Sequence, residues 1–446
     1  MTHQDTFLIT YSDLLTVWQD WLDTIPHPPL DRWLKQRAKY QKRYHGGYRM
    51  AIDNAMMDAM RYRQLADALE HSFQDPGFDD WVGWDQSWSP NNSTEAAPQH
   101  FWHWLQLRSE ADWRTPEVAQ QKARREHFIE FRQRVANTSD NALFMLWHGL
   151  RPGWEPALKR RAEKSGWNDD TLQHWIEQQT HRPPLWLRQV ASQTKPDDES
   201  LERALKRDGV IVHQYPVTLG ERSYTLHAAE GGNDVIRSDA FKAGKVEIQD
   251  AASQLICEMV DVQPGQKIWD ACAGAGGKTL TLASALGKKG AVIATDLHQY
   301  KLDELKKRAK RAAIANIRNF VWDGEAPLRL PIEIARQQGF DRILVDAPCT
   351  NAGTWRRNPD ARWRLTAENT RELHQLQFNL LDRAAKSLRA NGRLIYATCS
   401  WQVEENESVC GRFLEANPDF ILVKQTLLGA PLVDSDTMFC AVFSKA

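Results

Sequence analysis

Short apolar runs bounded by polar or glycine-rich turns recur through the second half of the chain. Residues 340–345 (FDRILV) and 392–397 (GRLIYA) have the brief, β-branched character of buried parallel strands, and 291–295 (AVIAT) and 320–322 (FVW) read the same way. A further strand ends at Asp270, breaks into a glycine-rich turn and continues as a helix-like run over 280–286. The first half has a different period. Leu14, Leu15, Trp18, Trp21 and Leu22 recur at helical spacing, as do Leu30, Trp33, Leu34 and Arg37. Most of the 19 tryptophans lie before Pro184, and this shift in composition marks a separate, mainly helical domain whose tryptophans are read as core. Residues 72–99, rich in Asp, Gly, Pro, Asn and Ser, are expected to form a long loop or a partly disordered insertion, with Trp81, Trp84 and Trp88 folding back on the helices.

Pro183 and Pro184 stop the preceding helix. Beyond them, Leu201 and Leu205 followed by Arg207, Asp208 and Gly209 predict one helix and its stop, and 210–212 predict a strand. Three domains are therefore expected: 1–180, Trp-rich and mainly helical; 181–245, a small α/β module; and 246–446, an α/β catalytic domain.

With 446 residues and 42% hydrophobic content the chain is long and apolar enough for several globular domains. Its apolar stretches are strand-sized, and its N-terminus lacks the basic start and apolar centre of a secretory signal, so no membrane association is expected. Six cysteines (257, 272, 349, 399, 410 and 440) show neither CxxC pairs nor scaffold density, which predicts reduced thiols, a cytoplasmic location and no metal centre.

A net charge of -1 means that any grip on nucleic acid comes from local patches. Lys301, Lys306, Lys307, Arg308, Lys310 and Arg311 form one patch, read as a solvated helix face. The second holds Arg356, Arg357, Arg362 and Arg364 interleaved with Trp355 and Trp363. Arg356, Arg357, Arg362 and Trp363 are its RNA-binding candidates, combining phosphate clamping with base stacking.

The turn after Asp270 runs Ala271, Cys272, Ala273, Gly274, Ala275, Gly276, Gly277, Lys278 and Thr279. It is not a phosphate-binding Walker loop, because Cys272 stands where that loop needs glycine, and the GxGxxG spacing of dinucleotide sites is absent. Glycines and a helix N-terminus would still let backbone amides approach a ligand's carboxylate. Acidic residues recur at four successive strand ends: Asp270, Asp296, Asp323 and Asp346. One such residue alone reads as a helix cap, whereas four converge where ligands lie in an open α/β sheet. Asp296 suits a pair of ribose hydroxyls. Two cysteines, Cys349 in VDAPCT and Cys399 in YATCSWQVEENE, follow strand-like runs and could divide covalent chemistry between them. Cys257, Cys410 and Cys440 read as small buried hydrophobes, and Cys272 as packing within the loop.

In order and context these segments resemble the RNA 5-methylcytosine methyltransferases that use S-adenosylmethionine, in the branch that contains the bacterial 16S rRNA enzymes. Residues 183–188 and 241–255, with Gln249, Asp250, Ser253 and Gln254, extend the resemblance upstream. The glycine loop departs from the family's Ala-Ala-Pro-Gly-Gly-Lys-Thr by losing its proline, which implies a more flexible loop and weaker cofactor affinity. The resemblance implies a Rossmann-like class I methyltransferase domain with S-adenosylmethionine as cofactor. It places Asp270, Lys278 and residues 272–277 in the cofactor site, with Lys278 and the loop amides at the methionine end and Asp323 and Gly324 near adenine. It assigns Cys399 as nucleophile, Cys349 to product release and Asp346 to the N3 and N4 edge of cytosine, with a place in the cofactor site as well. Enzymes methylating DNA attack with the Pro-Cys cysteine instead, so which thiol attacks stays open. Glu405 and Asn406 match a segment that holds the active-site loop. The implied partner is RNA, 16S rRNA ahead of tRNA, met free or in an assembling ribosomal particle by a monomeric protein. A non-catalytic RNA-binding or assembly factor retaining the fold is the alternative from a different class.

Overall fold

A computed structural model describes residues 9–40, 46–90, 97–111, 113, 117–138, 140–190, 200–287 and 289–445. The chain divides into two compact units, one made of residues 1–182 and 355–365 and the other of 183–354 and 366–446.

The first unit is helical and is organised by the helix Gly46–Gln74, in which Leu65, Ala66, Ala68 and Leu69 are buried together with Arg63, Asp67 and Glu70. Buried carboxylates require donors, and here tryptophans provide them. Trp88 Nε1 donates to Asp67 at 2.8 Å, and Trp104 Nε1 to Glu70 at 2.8 Å, where Arg124 also donates at 2.7 Å. The high tryptophan content thus serves a core that needs both apolar bulk and N–H groups. The loop expected over 72–99 is corrected. Asp80 caps the helix Trp81–Ser87, and Trp81, Trp84 and Trp88 are buried. Aromatic burial outweighs the turn-forming composition, while 91–96 lie outside the described residues.

The segment 355–365 is also part of this unit, and it overturns the expected RNA patch. Arg356 and Arg362 are both 1% exposed. Arg356 Nε donates to His181 O at 3.2 Å and Arg61 Nη2 to Arg356 O at 3.1 Å, while Arg362 donates to Gly149 O. Trp363 Nε1 donates to Met60 O at 2.7 Å, and its ring packs 5.2 Å from Trp88. Arg356 and Arg362 are therefore buried on backbone carbonyls and are not available to phosphates, while Trp363 and Arg357 are half-buried, Trp363 with its indole N–H committed to a carbonyl. The long helix kinks at Tyr62, next to the two carbonyls that receive these outside donors.

The second unit holds two sheets. Four antiparallel strands, β1 (Leu185–Gln189), β2 (Val212–Leu219), β3 (Arg222–Ala229) and β4 (Val246–Ile248), lie in the order β2-β3-β1-β4. The helix Leu201–Arg207 is where its pattern predicts it, capped by Ser200. The strand expected at 210–212 starts at Val212 and runs on into a hairpin with β3.

The larger sheet contains β5 (Lys267–Asp270), β6 (Ala291–Asp296), β7 (Ile317–Val321), β8 (Phe340–Asp346), β9 (Leu388–Thr398), β10 (Phe420–Gly429) and β11 (Thr437–Lys445). Their order is β10-β11-β9-β8-β5-β6-β7, with β5 to β9 parallel and β11 antiparallel between β9 and β10. Strands after β5 are laid down first on one side of it and then, from β8, on the other. A crevice for ligand belongs at that switch, beyond the carboxyl ends of β5 and β8. Among the described residues no helix is long and apolar enough to cross a membrane.

Candidate active site

β5 delivers Asp270 to the switch point, and the chain then turns back on itself. Ala273 N donates to Thr295 O at 2.8 Å, Gly274 and Gly276 adopt φ of +56° and +86°, and the helix Gly277–Ala285 begins with no side-chain cap. A Cβ on Gly276 would lie 2.6 Å from Leu305 Cγ, so glycine is needed there for packing. Gly274 and Gly277 instead face open space, and uncapped amides at a helix start are ready donors for an anion. The Ala275 carbonyl accepts from Arg308 at 2.9 Å. Arg308 and Arg311 also pair with buried Glu247, which gives two members of the first basic patch a structural task. Cys272 is half-buried among core side chains, and burial drives its thiol up.

Asp270 is 1% exposed and accepts from Thr279 Oγ1 at 2.6 Å through one oxygen; its other oxygen, also buried, has no partner. Burial pushes its carboxyl up to about 7. An unpartnered buried acceptor at the mouth of a ligand crevice fits a cationic or hydroxyl donor from a bound molecule. The folded-state value exceeds the unfolded one of about 3.9, so the penalty is absent at low pH and grows as pH rises through 7. Asp270→Asn is therefore expected to stabilise the ligand-free protein increasingly between about pH 5 and pH 8, by of order 4 kcal/mol at the alkaline end. Urea unfolding at the two pH values checks this, and parallel shifts would contradict it.

Asp296, at the end of β6, accepts from Gly274 N at 3.0 Å and His298 N at 2.9 Å, and Lys301 stands 3.4 Å away. Its carboxylate thus braces the glycine loop and retains lone pairs for further donors. Asp323 lies two residues past β7, exposed, with Oδ1 accepting from Glu325 N and Ala326 N; those amides hold its carboxyl low. Gly324 follows at φ +76°, over Leu380. The acidic series, the open glycines and the unpaired Asp270 oxygen supply acceptors and amide donors of the kind that S-adenosylmethionine needs.

On the other side of the switch, β8 ends at Asp346, which accepts from Lys278 Nζ at 2.7 Å. Burial opposes the lysine's charge, but the adjoining carboxylate outweighs it and holds Lys278 above its usual range. Lys278, expected at the methionine end of the cofactor, is thereby turned onto Asp346 and joins the glycine loop to the thiol loops.

The two thiols meet. Cys349 Sγ and Cys399 Sγ are 3.1 Å apart, both as free cysteines. The loop bearing Cys349 is held by Glu405, which is fully buried and accepts from Thr350 N at 2.9 Å, Thr350 Oγ1 at 2.6 Å, Gln377 Nε2 at 3.0 Å and Gln402 Nε2 at 3.1 Å. Asn406 does the same for the other loop, accepting from Thr398 Oγ1 at 2.6 Å and donating to Ser400 O at 2.9 Å. Cys399 beside it, then burial, then Glu405 push the Cys349 thiol up. Sequence reasoning identified Glu405 and Asn406 but not Gln377, whose place on an amphipathic helix looks like a solvent-facing one, nor Asn351, whose side-chain carbonyl lies 2.8 Å from Cys399 Sγ.

A parallel sheet with one antiparallel strand, β11, set between β9 and the edge strand β10, with a glycine turn after its first parallel strand and acidic residues at successive carboxyl ends, is the class I S-adenosylmethionine-dependent methyltransferase fold. Within that class, the segment 257–436 matches the model of the 16S rRNA methyltransferase RsmB/F family. Ribosomal RNA small subunit methyltransferase B of Yersinia pestis is 31% identical over 303 residues, covering 68% of this chain and 65% of the relative. The chain thus spans just under two thirds of that relative's length. Two solved structures share the fold. The crystal structure of PH0851 has a TM-score of 0.63 and 24% identity, covering 92% of this chain and 93% of its own. That of NSun6 from Pyrococcus horikoshii with SFG has a TM-score of 0.53 and 17% identity, covering 65% and 98%.

Proposed function

We propose that this protein methylates C5 of a cytosine in structured RNA, 16S rRNA in the first place, through a covalent bond between Cys399 and C6. The observation that carries the reading is the pair of facing thiols beside the Asp346–Lys278 pair at the switch point. Cytosine C5 is a poor nucleophile until a thiolate adds to C6. Cys399 Sγ forms that bond, and the C5–C6 electron pair moves onto the ring as Asp346 supports protonation at N3. S-adenosylmethionine, when bound, supplies the methyl group that C5 takes. Asp270, Asp296 and the loop 272–277 hold that cofactor, and Asp323 and Gly324 border its adenine.

Cys349 completes the cycle. Cys399 beside it, burial and Glu405 all raise its thiol, which suits Cys349 to the second step rather than the first. Once Cys399 is bound to carbon, Cys349 is the thiol left to act as base, and its own proton passes to solvent. Its thiolate then takes the C5 proton, the C5–C6 double bond re-forms and the C6–S bond breaks, returning Cys399 as thiolate.

The first unit, with no chemical task of its own, contributes RNA recognition, and the protein works in the cytoplasm as a monomer on free RNA or an assembling particle. Incubation with labelled cofactor and purified 16S rRNA or tRNA tests the substrate. Methyl transfer to 16S rRNA is expected. Preference for tRNA would reassign the substrate, and transfer to neither would favour a binding protein that keeps the fold.

A further inference from the structure

Asn351 follows the Cys349 loop in a left-handed conformation, φ +57°, which few residues other than glycine and asparagine adopt at low cost. Its turn is closely fixed. Thr354 N and Oγ1 donate to the Asn351 carbonyl at 2.9 and 3.0 Å, and Gly353 N donates to the backbone carbonyl of Cys399 at 2.9 Å. A Cβ on Gly353 would fall 1.8 Å from Thr437 O, so the turn is pressed against the strand ends. This places the Asn351 carboxamide against one thiol in preference to the other: Oδ1 is 2.8 Å from Cys399 Sγ and 3.9 Å from Cys349 Sγ.

We propose that Asn351 is a further catalytic residue, whose carboxamide oxygen accepts a hydrogen bond from the Cys399 thiol at rest and which, once that thiol has given its proton to solvent, turns over to donate Nδ2–H to the thiolate that attacks. This rests on the assignment of Cys399 as nucleophile. An amide offers an acceptor and a donor at nearly the same place, and its terminal torsion is soft, so one side chain serves both protonation states. A hydrogen bond to an ionised sulfur is stronger than one to the neutral thiol, and the turn-over therefore favours the thiolate. Among the described residues, the charged and titratable groups near Cys399 include Cys349 and the Lys278–Asp346 pair, with Glu405 behind the Cys349 loop on Thr350. Asn351 adds a neutral donor that needs no proton of its own.

Asn351→Gly isolates the amide, because glycine suits the backbone conformation and removes only the side chain. Iodoacetamide is added to the full-length protein without RNA or cofactor, and labelling of the Cys399 and Cys349 peptides is timed by mass spectrometry. Cys399 in Asn351→Gly is expected to label about tenfold more slowly than in the parent near neutral pH, the low end for a hydrogen bond to a charged group. The difference should close at about pH 9.5, where free thiols ionise unaided. Asn351→Asp keeps the turn but sets a carboxylate against the sulfur, and should slow labelling further. Equal rates in parent and Asn351→Gly, equal slowing at both pH values, or faster labelling in Asn351→Asp would each overturn the proposal. Because no RNA is present, the outcome is independent of whether cytosine is the substrate.

Discussion

Cys349→Ala is expected to accumulate a covalent protein–RNA adduct that survives denaturing electrophoresis, whereas Cys399→Ala should form neither adduct nor methylated product. The two effects are opposite because the proposed mechanism has the thiols act in sequence on one intermediate, although they lie only 3.1 Å apart. Without Cys399, C6 receives no nucleophile and C5 stays unreactive. Without Cys349, attack proceeds but the C5 proton has no base, and the C6–S bond persists. Loss of a nucleophile in such a site costs several orders of magnitude in rate, far more than a packing change would. An adduct in Cys399→Ala and none in Cys349→Ala would reverse the roles and make the Pro-Cys thiol the attacking group.

Removal of residues 1–182 should abolish methyl transfer while leaving cofactor binding within a few-fold, as measured by calorimetry. The pattern of helices alone would predict a milder result, with weaker RNA affinity and intact chemistry. The difference comes from residues 355–365, which belong to the helical unit and begin directly after the turn that carries Cys349 and Asn351. Truncation takes away Arg61, Met60 and Gly149 and leaves Arg362 and Trp363 without the carbonyls they bind. A displacement of about 1 Å at a reacting group can cost a hundredfold. The cofactor crevice, built from β5, β6 and the helix Gly277–Ala285, keeps its own partners. Unchanged turnover on the same RNA would show that the helical unit does not support the catalytic loop.

What could be read from the chain was what local patterning determines. Apolar β-branched runs marked β6, β8 and β9, and the acidic residues that follow them stand at or just beyond strand ends, Asp323 two residues past β7. The helix Leu201–Arg207 was legible from its apolar spacing and its glycine stop. Features set by tertiary contact were not legible. Arg356, Arg362 and Trp363 have the composition of an RNA patch, and only the positions of distant carbonyls decide that they are core. The helix Trp81–Ser87 sits in a stretch whose polar residues signal a loop, and the burial of its rings overrides them. Gln377 and Asn351 carry no periodic signature, since each matters through one or two bonds to a loop remote in sequence.

C5 of cytosine is the atom proposed to receive the methyl group. Nucleoside mass spectrometry of 16S rRNA, methylated by the purified protein and digested to nucleosides, reads that atom directly. 5-Methylcytidine as the new nucleoside is the result expected from two thiols at the switch point. A methyl group on a cytosine nitrogen, on ribose or on another base would contradict it, since none of those products requires a Cys399 adduct.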